Sequence, residues 1–348
     1  MTTTMPLPNQ HAMRTRSYTS NSAALSTNSH VDSSLKSSAV ILTSESSCLS
    51  TYSNAFGAFL ELHNSPSNLI NAYETHRRRR NLERRALILA SGAICPDPIL
   101  RGLVLEHQPP EFDPRNCISL WCRPPLAVRQ LIAQIQSLLL QAEPDVWCMP
   151  QNCLHMTALE IVHSKPDSHV DSVVLKLKPH LDRLLGPMPA PVLVKPILSY
   201  DQNALALSFI PEEDNLDQKS SLGWYTYQHY RRDLCDIVQR KAGITVDSRY
   251  HFPSAHVTIA RFVKPLEGTT DRWIKTLDSI NEWIESSENA RNMRWTVGEE
   301  RGSECRVGLI WYGGGRAEGI GMTVEEANNA QDQTHTEKIW RNEQLQVY

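Results

Sequence analysis

The sequence predicts an α+β protein made of two pseudo-symmetric β-α-β-α-β lobes about a central cleft. Three observations lead there. Short segments alternate apolar and polar residues, as half-buried strands do. Between them lie longer segments with apolar stripes at helical spacing. The order of these elements then recurs, with a His-x-Thr triplet at the same place in each copy.

The first copy opens on CISLWC (117–122), an apolar strand. A helix follows from Pro125 to about Glu143, carrying Leu131, Ile132, Ile135, Leu138 and Leu139 on one face. Next come a strand at LHMTALEIV (154–162) and a helix with Val170, Val173, Val174, Leu177, Leu181 and Leu184. The strand PVLVKPIL (191–198) closes the set. The second copy runs through ALALSFI (204–210), a helix over 223–241 and the strand AHVTIARF (255–262). A helix over 271–286 with Trp273, Leu277, Ile280 and Ile284 comes next, then strands near MRWTV and RVGLIWY.

These copies define a two-lobed domain over 113–312. Residues 1–50 are a polar leader, rich in Ser and Thr, that cannot bury enough surface to fold alone. A helical N-terminal extension covers 51–112, with one long helix over 66–92 before the Pro-rich HQPPEFDP. A polar tail runs from the triple glycine at 313–315 to Tyr348. The block Arg77–Arg80, with Arg84 and Arg85, reads first as a solvated helix face and second as a nuclear address or an RNA-facing patch.

Composition narrows the class. The chain has 348 residues, 41% hydrophobic and 21% charged, and a formal net charge of −3. No global basic field draws nucleic acid in bulk, so a phosphate must be met by a local site. The longest apolar stretch, ALILASGAIC (86–95), is too short to span a bilayer, so no membrane partner is expected. MTTTMPLPNQ has neither an early basic end nor an apolar run, which argues against a secretory signal and for the cytoplasm; a monomer is expected. A nucleus-directed or, on the Ser/Thr-rich leader, mitochondrial destination ranks below that. Among the eight cysteines, Cys117/Cys122 and Cys148/Cys153 are spaced more loosely than paired zinc ligands, so no metal or other cofactor is expected.

The recurring triplets are His155-Met156-Thr157 and His256-Val257-Thr258. Singly they mean little: thirteen histidines supply about two His-x-Ser/Thr matches by chance, and His63-Asn64-Ser65 is one. A lone strand histidine is usually a satisfied core residue, and threonine is common in strands. Position in the repeat lifts the pair above that background. Alternation turns Val257 and Ile259 to one face and His256 and Thr258 to the other. A duplicated fold would set the two strands side by side, with two imidazoles and two hydroxyls lining one cleft.

With both motifs in view, the chain resembles the 2H phosphoesterase superfamily, whose members carry two His-x-Thr/Ser motifs, one per lobe. Here the histidines, at 155 and 256, lie 101 residues apart. RYHFPSAHVTIARF and YETHRRRRN look like a fungal branch of the RNA ligase/cyclic nucleotide phosphodiesterase group. The resemblance covers about residues 66 to 312 and implies a bilobal fold, catalytic His155 and His256, and phosphate-binding Thr157 and Thr258. The implied substrate is the 2′,3′-cyclic phosphate end of an RNA, or a cyclic nucleotide. No nucleotidyl-lysine motif supports ATP-dependent ligation.

The residues suit that chemistry. Opening a cyclic phosphodiester needs a base for water and an acid for the departing ribose oxygen. An ordinary imidazole pKa of about 6.5 lets one ring be neutral and one protonated near neutrality. The symmetry does not tell which is the base. Tyr250 is a candidate for base stacking or for the rim, with packing against the neighbouring lobe as the alternative. Trp224, Tyr225 and Tyr227 read as core or rim. Strict alternation turns Arg261 away from His256, His163 and His169 are expected to face solvent, and no carboxylate is expected on the motif face. Two other readings stay open: a non-catalytic RNA-end or nucleotide-binding module, and an enzyme of this fold acting on a non-RNA substrate in specialised metabolism.

Overall fold

The computed structural model describes residues 54–213, 224–248 and 253–329. The expected leader and Tyr250 lie outside the described residues. Two helices built by local signals come first among the described residues. Asn54 caps α1 (Ala55–Leu62) by accepting from the amides of Phe56 and Gly57. Ser65 caps α2 (Pro66–Ser91), Pro66 occupies its first turn, and Gly92 ends it at φ 63°. The chance triplet His63-Asn64-Ser65 is therefore the junction between two helices, His63 closing one and Ser65 opening the next. A short helix, α3 (Pro98–Leu105), follows.

The rest alternates strands and helices: β1 (Cys117–Cys122), α4 (Leu126–Ala142), β2 (Val146–Cys148), β3 (Met156–Val162), α5 (Asp167–Leu177), α6 (Leu181–Leu185), β4 (Val192–Tyr200) and β5 (Ala204–Pro211). Then come α7 (Tyr227–Asp236), continued by a wider turn over Ile237–Lys241, β6 (Ala255–Phe262), α8 (Thr270–Ser286), α9 (Glu288–Arg291), β7 (Arg294–Thr296), β8 (Glu304–Gly308) and β9 (Arg316–Ile320). The nine strands among the described residues form one antiparallel sheet in the order β7-β4-β5-β6-β3-β1-β8-β9, with β2 also paired to β6.

The α+β class is as read from the sequence, but the copies exchange strands. The strand expected to close the first copy, β4, sits beside β5 in the half that holds β6. Strands β8 and β9, the last among the described residues, complete the half that holds β1 and β3. The short turn after Tyr200 explains the first exchange: a connection this tight forces β4 and β5 to be antiparallel neighbours. β9 also corrects the expected tail, because residues 316–320 form an edge strand rather than a polar extension. Gly313 and Gly315, at φ 86° and 71°, reverse the chain between β8 and β9 as few other residues would.

The helical extension shares the core of the sheet. Phe56, Leu69, Tyr73 and Ile88 belong to the same buried cluster as Leu120, Ile132, Val257 and Trp295. Tyr73 donates to the Gln228 side chain at 2.9 Å, tying α2 to α7. No helix among the described residues is long and apolar enough to cross a membrane.

Candidate functional site

The two halves of the sheet meet where Met156 of β3 pairs with Val257 of β6. Both side chains are buried in the core, at 1% and 0% exposure. In an antiparallel register centred there, His155 lies opposite Thr258 and Thr157 opposite His256, all four on the other face. A cavity of about 70 Å³ is lined by these four side chains, and it adjoins one of about 200 Å³ on the His256 side. The two motifs are thus brought together as the repeat predicts.

Each motif is followed by a β-bulge. In β6, Leu205 pairs with Ala260 and Ala206 with Thr258, leaving Ile259 as the extra residue. In β3, Leu120 pairs with Leu159 and Trp121 with Thr157, leaving Ala158 extra. A bulge resets the alternation beyond it. Arg261, which an unbroken pleat would turn away, therefore faces the cleft with His256, and Glu160, at the equivalent place in β3, faces it too. Both expectations about these positions are corrected by the same irregularity. The Arg261 Nε is buried and has no hydrogen-bond partner among the described residues, while its Nη1 donates to Asp97 at 3.3 Å.

The carbonyls displaced by the bulges are met by helices from the opposite copy. Gln136 of α4 donates to Ile259 O at 2.9 Å and to Met149 O at 2.9 Å. Arg231 of α7 donates from Nε to Ala158 O at 2.9 Å, and Tyr227 donates to Thr157 O at 3.1 Å. Arg231 is 2% exposed and stacks over Phe56. These bonds bring side-chain donors to buried carbonyls at the bulges, and the Met149 amide also donates to Ile259 O at 2.9 Å. Neither Gln136 nor Arg231 belongs to a motif in the sequence. The available signal was a polar residue on an apolar helix stripe: Gln136 sits between Ile132 and Leu139 on one face.

The imidazoles are held differently. His155 Nδ1 lies 2.8 Å from Cys153 O; a carbonyl only accepts, so Nδ1 carries the proton and Nε2 keeps a lone pair in the neutral ring. Its ring stacks on Trp121 at 3.6 Å between centroids and 10° between planes. Arg123 fixes the approach to this ring by donating to Leu154 O at 3.0 Å while bonding the Glu304 carboxylate. His256 Nδ1 lies 2.9 Å from the Ser254 hydroxyl, which can give or take a hydrogen. Burial, with Arg123, His256 and Arg306 nearby, lowers the His155 pKa to about 3 against the bond to Cys153 O. Burial, with Arg80 and Arg231, lowers that of His256 to about 4. Both rings are therefore neutral near pH 7 in the free protein, unlike the mixed state expected from an ordinary value.

The arginine block divides. Arg77 is buried and donates to Lys195 O (2.5 Å) at the irregularity in β4. Arg78 and Arg79 make helix-surface pairs with Glu74 and Glu83, the solvated-face arrangement. Arg80 instead lines the larger cavity with His256 and pairs with Asp201 at 3.1 Å. Tyr227 is buried and Trp224 and Tyr225 pack against the core, as read. His169 is exposed, whereas His163 is half-buried and its Nδ1 lies 3.2 Å from the Glu160 carboxylate. The last predicted strand ends early, and Trp311 turns into both cavities.

Among solved structures, the chain is similar to E. coli LigT complexed with ATP, at 8% identity and a TM-score of 0.31 over 60% of this chain and 99% of that one. It is similar to a conserved protein of unknown function from Agrobacterium tumefaciens at 13% identity and TM-score 0.35, over 56% of this chain and 82% of that one. Usb1 of Kluyveromyces marxianus matches at 11% identity and TM-score 0.30, over 57% and 95%. Likenesses this distant carry no functional conclusion. No family model and no curated protein matches the chain.

Proposed function

We propose that the protein is a metal-independent phosphodiesterase that hydrolyses 2′,3′-cyclic phosphates at RNA ends or in cyclic nucleotides, using two histidines as base and acid. The observation that carries this reading is the register at Met156–Val257, which sets each histidine opposite the other motif's threonine in one cavity. A phosphorus atom between the rings would have a proton carrier on each side, as in-line displacement requires. His155, with its Nε2 lone pair fixed by Cys153 O, suits the base. It takes a proton from water as the water oxygen bonds to phosphorus. His256, entering as imidazolium, gives its proton to the ribose oxygen as the P–O bond breaks. The arriving phosphate anion favours that imidazolium by attraction. Thr157 and Thr258 donate to the non-bridging oxygens, where charge grows in the transition state. Arg261 Nε–H supplies a further donor whose hydrogen bond a phosphate oxygen would complete.

The test is turnover of a 2′,3′-cyclic nucleotide in the presence of EDTA. Wild type is expected to turn over, with His155→Ala and His256→Ala each at least about 100-fold slower. Loss of wild-type activity to the chelator, or an active double variant, contradicts the proposal.

A further inference from the structure

Cys117, Glu160 and His163 are the one group of three metal-ligating side chains whose ligand atoms converge among the described residues, all lying within 4.8 Å of one another. They come from the start of β1, the interior of β3 and the residue after β3, so the β1–β3 pairing and its irregularities assemble them. Cys117 Sγ is 3.7 Å from His163 Nδ1, and that nitrogen is 3.2 Å from Glu160 Oε1. A tetrahedral zinc with ordinary bond lengths sets sulfur and nitrogen ligands about 3.5 Å apart and nitrogen and oxygen ligands about 3.3 Å apart. The two edges at His163 Nδ1 are already close to those lengths.

The surroundings fit as well. His163 Nε2 lies 3.0 Å from the Ser164 hydroxyl, which can hold the ring proton there and leave the Nδ1 lone pair toward the other two ligands. The Ser164 backbone N–H donates to Cys117 Sγ at 3.5 Å, a contact that favours thiolate over thiol. Ser164 holds a φ of 49°, uncommon for a residue with a side chain, and this turn aims both its groups at the trio. The Cys117 thiol otherwise donates to Arg115 O at 3.3 Å. Cys117 and Glu160 line the cleft that His155 and Thr157 line.

The geometry points to a zinc site of three protein ligands, Cys117, Glu160 and His163, in the cleft wall beside the histidine pair. It takes a borderline divalent cation such as Zn²⁺ or Co²⁺. Binding replaces the thiol proton, which passes to solvent, with a sulfur–metal bond. The ion is not needed for proton transfer by His155 and His256, so the site stands apart from the reading above.

Titration of the metal-free full chain with Co²⁺ tests it, followed by its thiolate-to-cobalt charge-transfer absorption. One equivalent is expected to give the band, and Zn²⁺ to bleach it. Cys117→Ser should abolish it while the other cysteines remain, and Ser164→Ala should weaken binding by about 10–100-fold. Thermal melting of each variant checks that it folds; should Cys117→Ser not fold, His163→Gln is expected to lose the band in its place. No band in wild type, or a band unchanged in a folded Cys117→Ser or His163→Gln variant, overturns the inference.

Discussion

Met156 and Val257 pair across the joint between β3 and β6, and their neighbours on the opposite face are two histidines and two threonines in crosswise register. This one pair converts two motifs far apart in the chain into one site. It also makes the site depend on residues that touch no substrate, because the strands stay in register only while their bulges are held.

Gln136 is the first such residue. Gln136→Leu keeps the helix stripe but removes the side-chain donor to Ile259 O, leaving that carbonyl the Met149 amide. A loss of about 1–3 kcal/mol in stability is expected. Turnover should fall with it, because the bulge sets both Thr258 and Arg261. Denaturant unfolding and steady-state kinetics check the two effects.

Arg261→Gln removes a cleft donor beyond the bulge. A charge-assisted hydrogen bond contributes about 1.5–3 kcal/mol, so binding of inorganic phosphate or a product nucleotide should weaken by about 10–150-fold. Calorimetry on the folded variant measures it. Unchanged affinity would place Arg261 in a purely structural pair with Asp97.

Gly313 acts through its backbone. A Cβ there would sit 2.2 Å from the Cys153 Cβ, and the residue has φ 86°. Gly313→Ala should therefore push on the loop whose carbonyl holds His155. The expected result is a lower kcat with a smaller change in KM, read from initial rates alongside the melting temperature.

The pKa values set the pH behaviour. With the free-protein values of His155 and His256 lowered to about 3 and 4, kcat/KM should peak well to the acid side of an ordinary histidine pair, because the acid loses its proton early. Bound phosphate raises the acid's pKa, so the basic limb of kcat should lie at higher pH than that of kcat/KM. Stability follows the same shifts. The unfolded chain takes up protons at these histidines below about 6.5 and the folded chain does not, so stability should fall as pH drops from there through about 3. Replacing both histidines with asparagine should flatten that fall in a series of thermal melts.

Much of this was legible in the sequence, and what was not has three physical origins. Helix limits followed from caps and apolar spacing: Ser65, Pro66 and Gly92 bound α2 within a residue or two of the expected range. The motif strands followed from alternation. Past Thr157 and Thr258 alternation misled, because each bulge adds a residue that no propensity announces, and this hid Glu160 and Arg261. The depressed imidazole pKa values and the stacking of His155 on Trp121 come from burial by elements distant in the chain. The exchange of β4 and β8 between halves was hidden because a repeat in sequence order does not say which half each closing strand joins.

The central claim is that both imidazoles flank one phosphorus atom, and histidine NMR titration with a bound nucleoside monophosphate tests it most directly. The account predicts that the ligand raises the pKa of both His155 and His256 together, with each assigned by its alanine variant. A shift confined to one ring, or to neither while the ligand is bound, would contradict it.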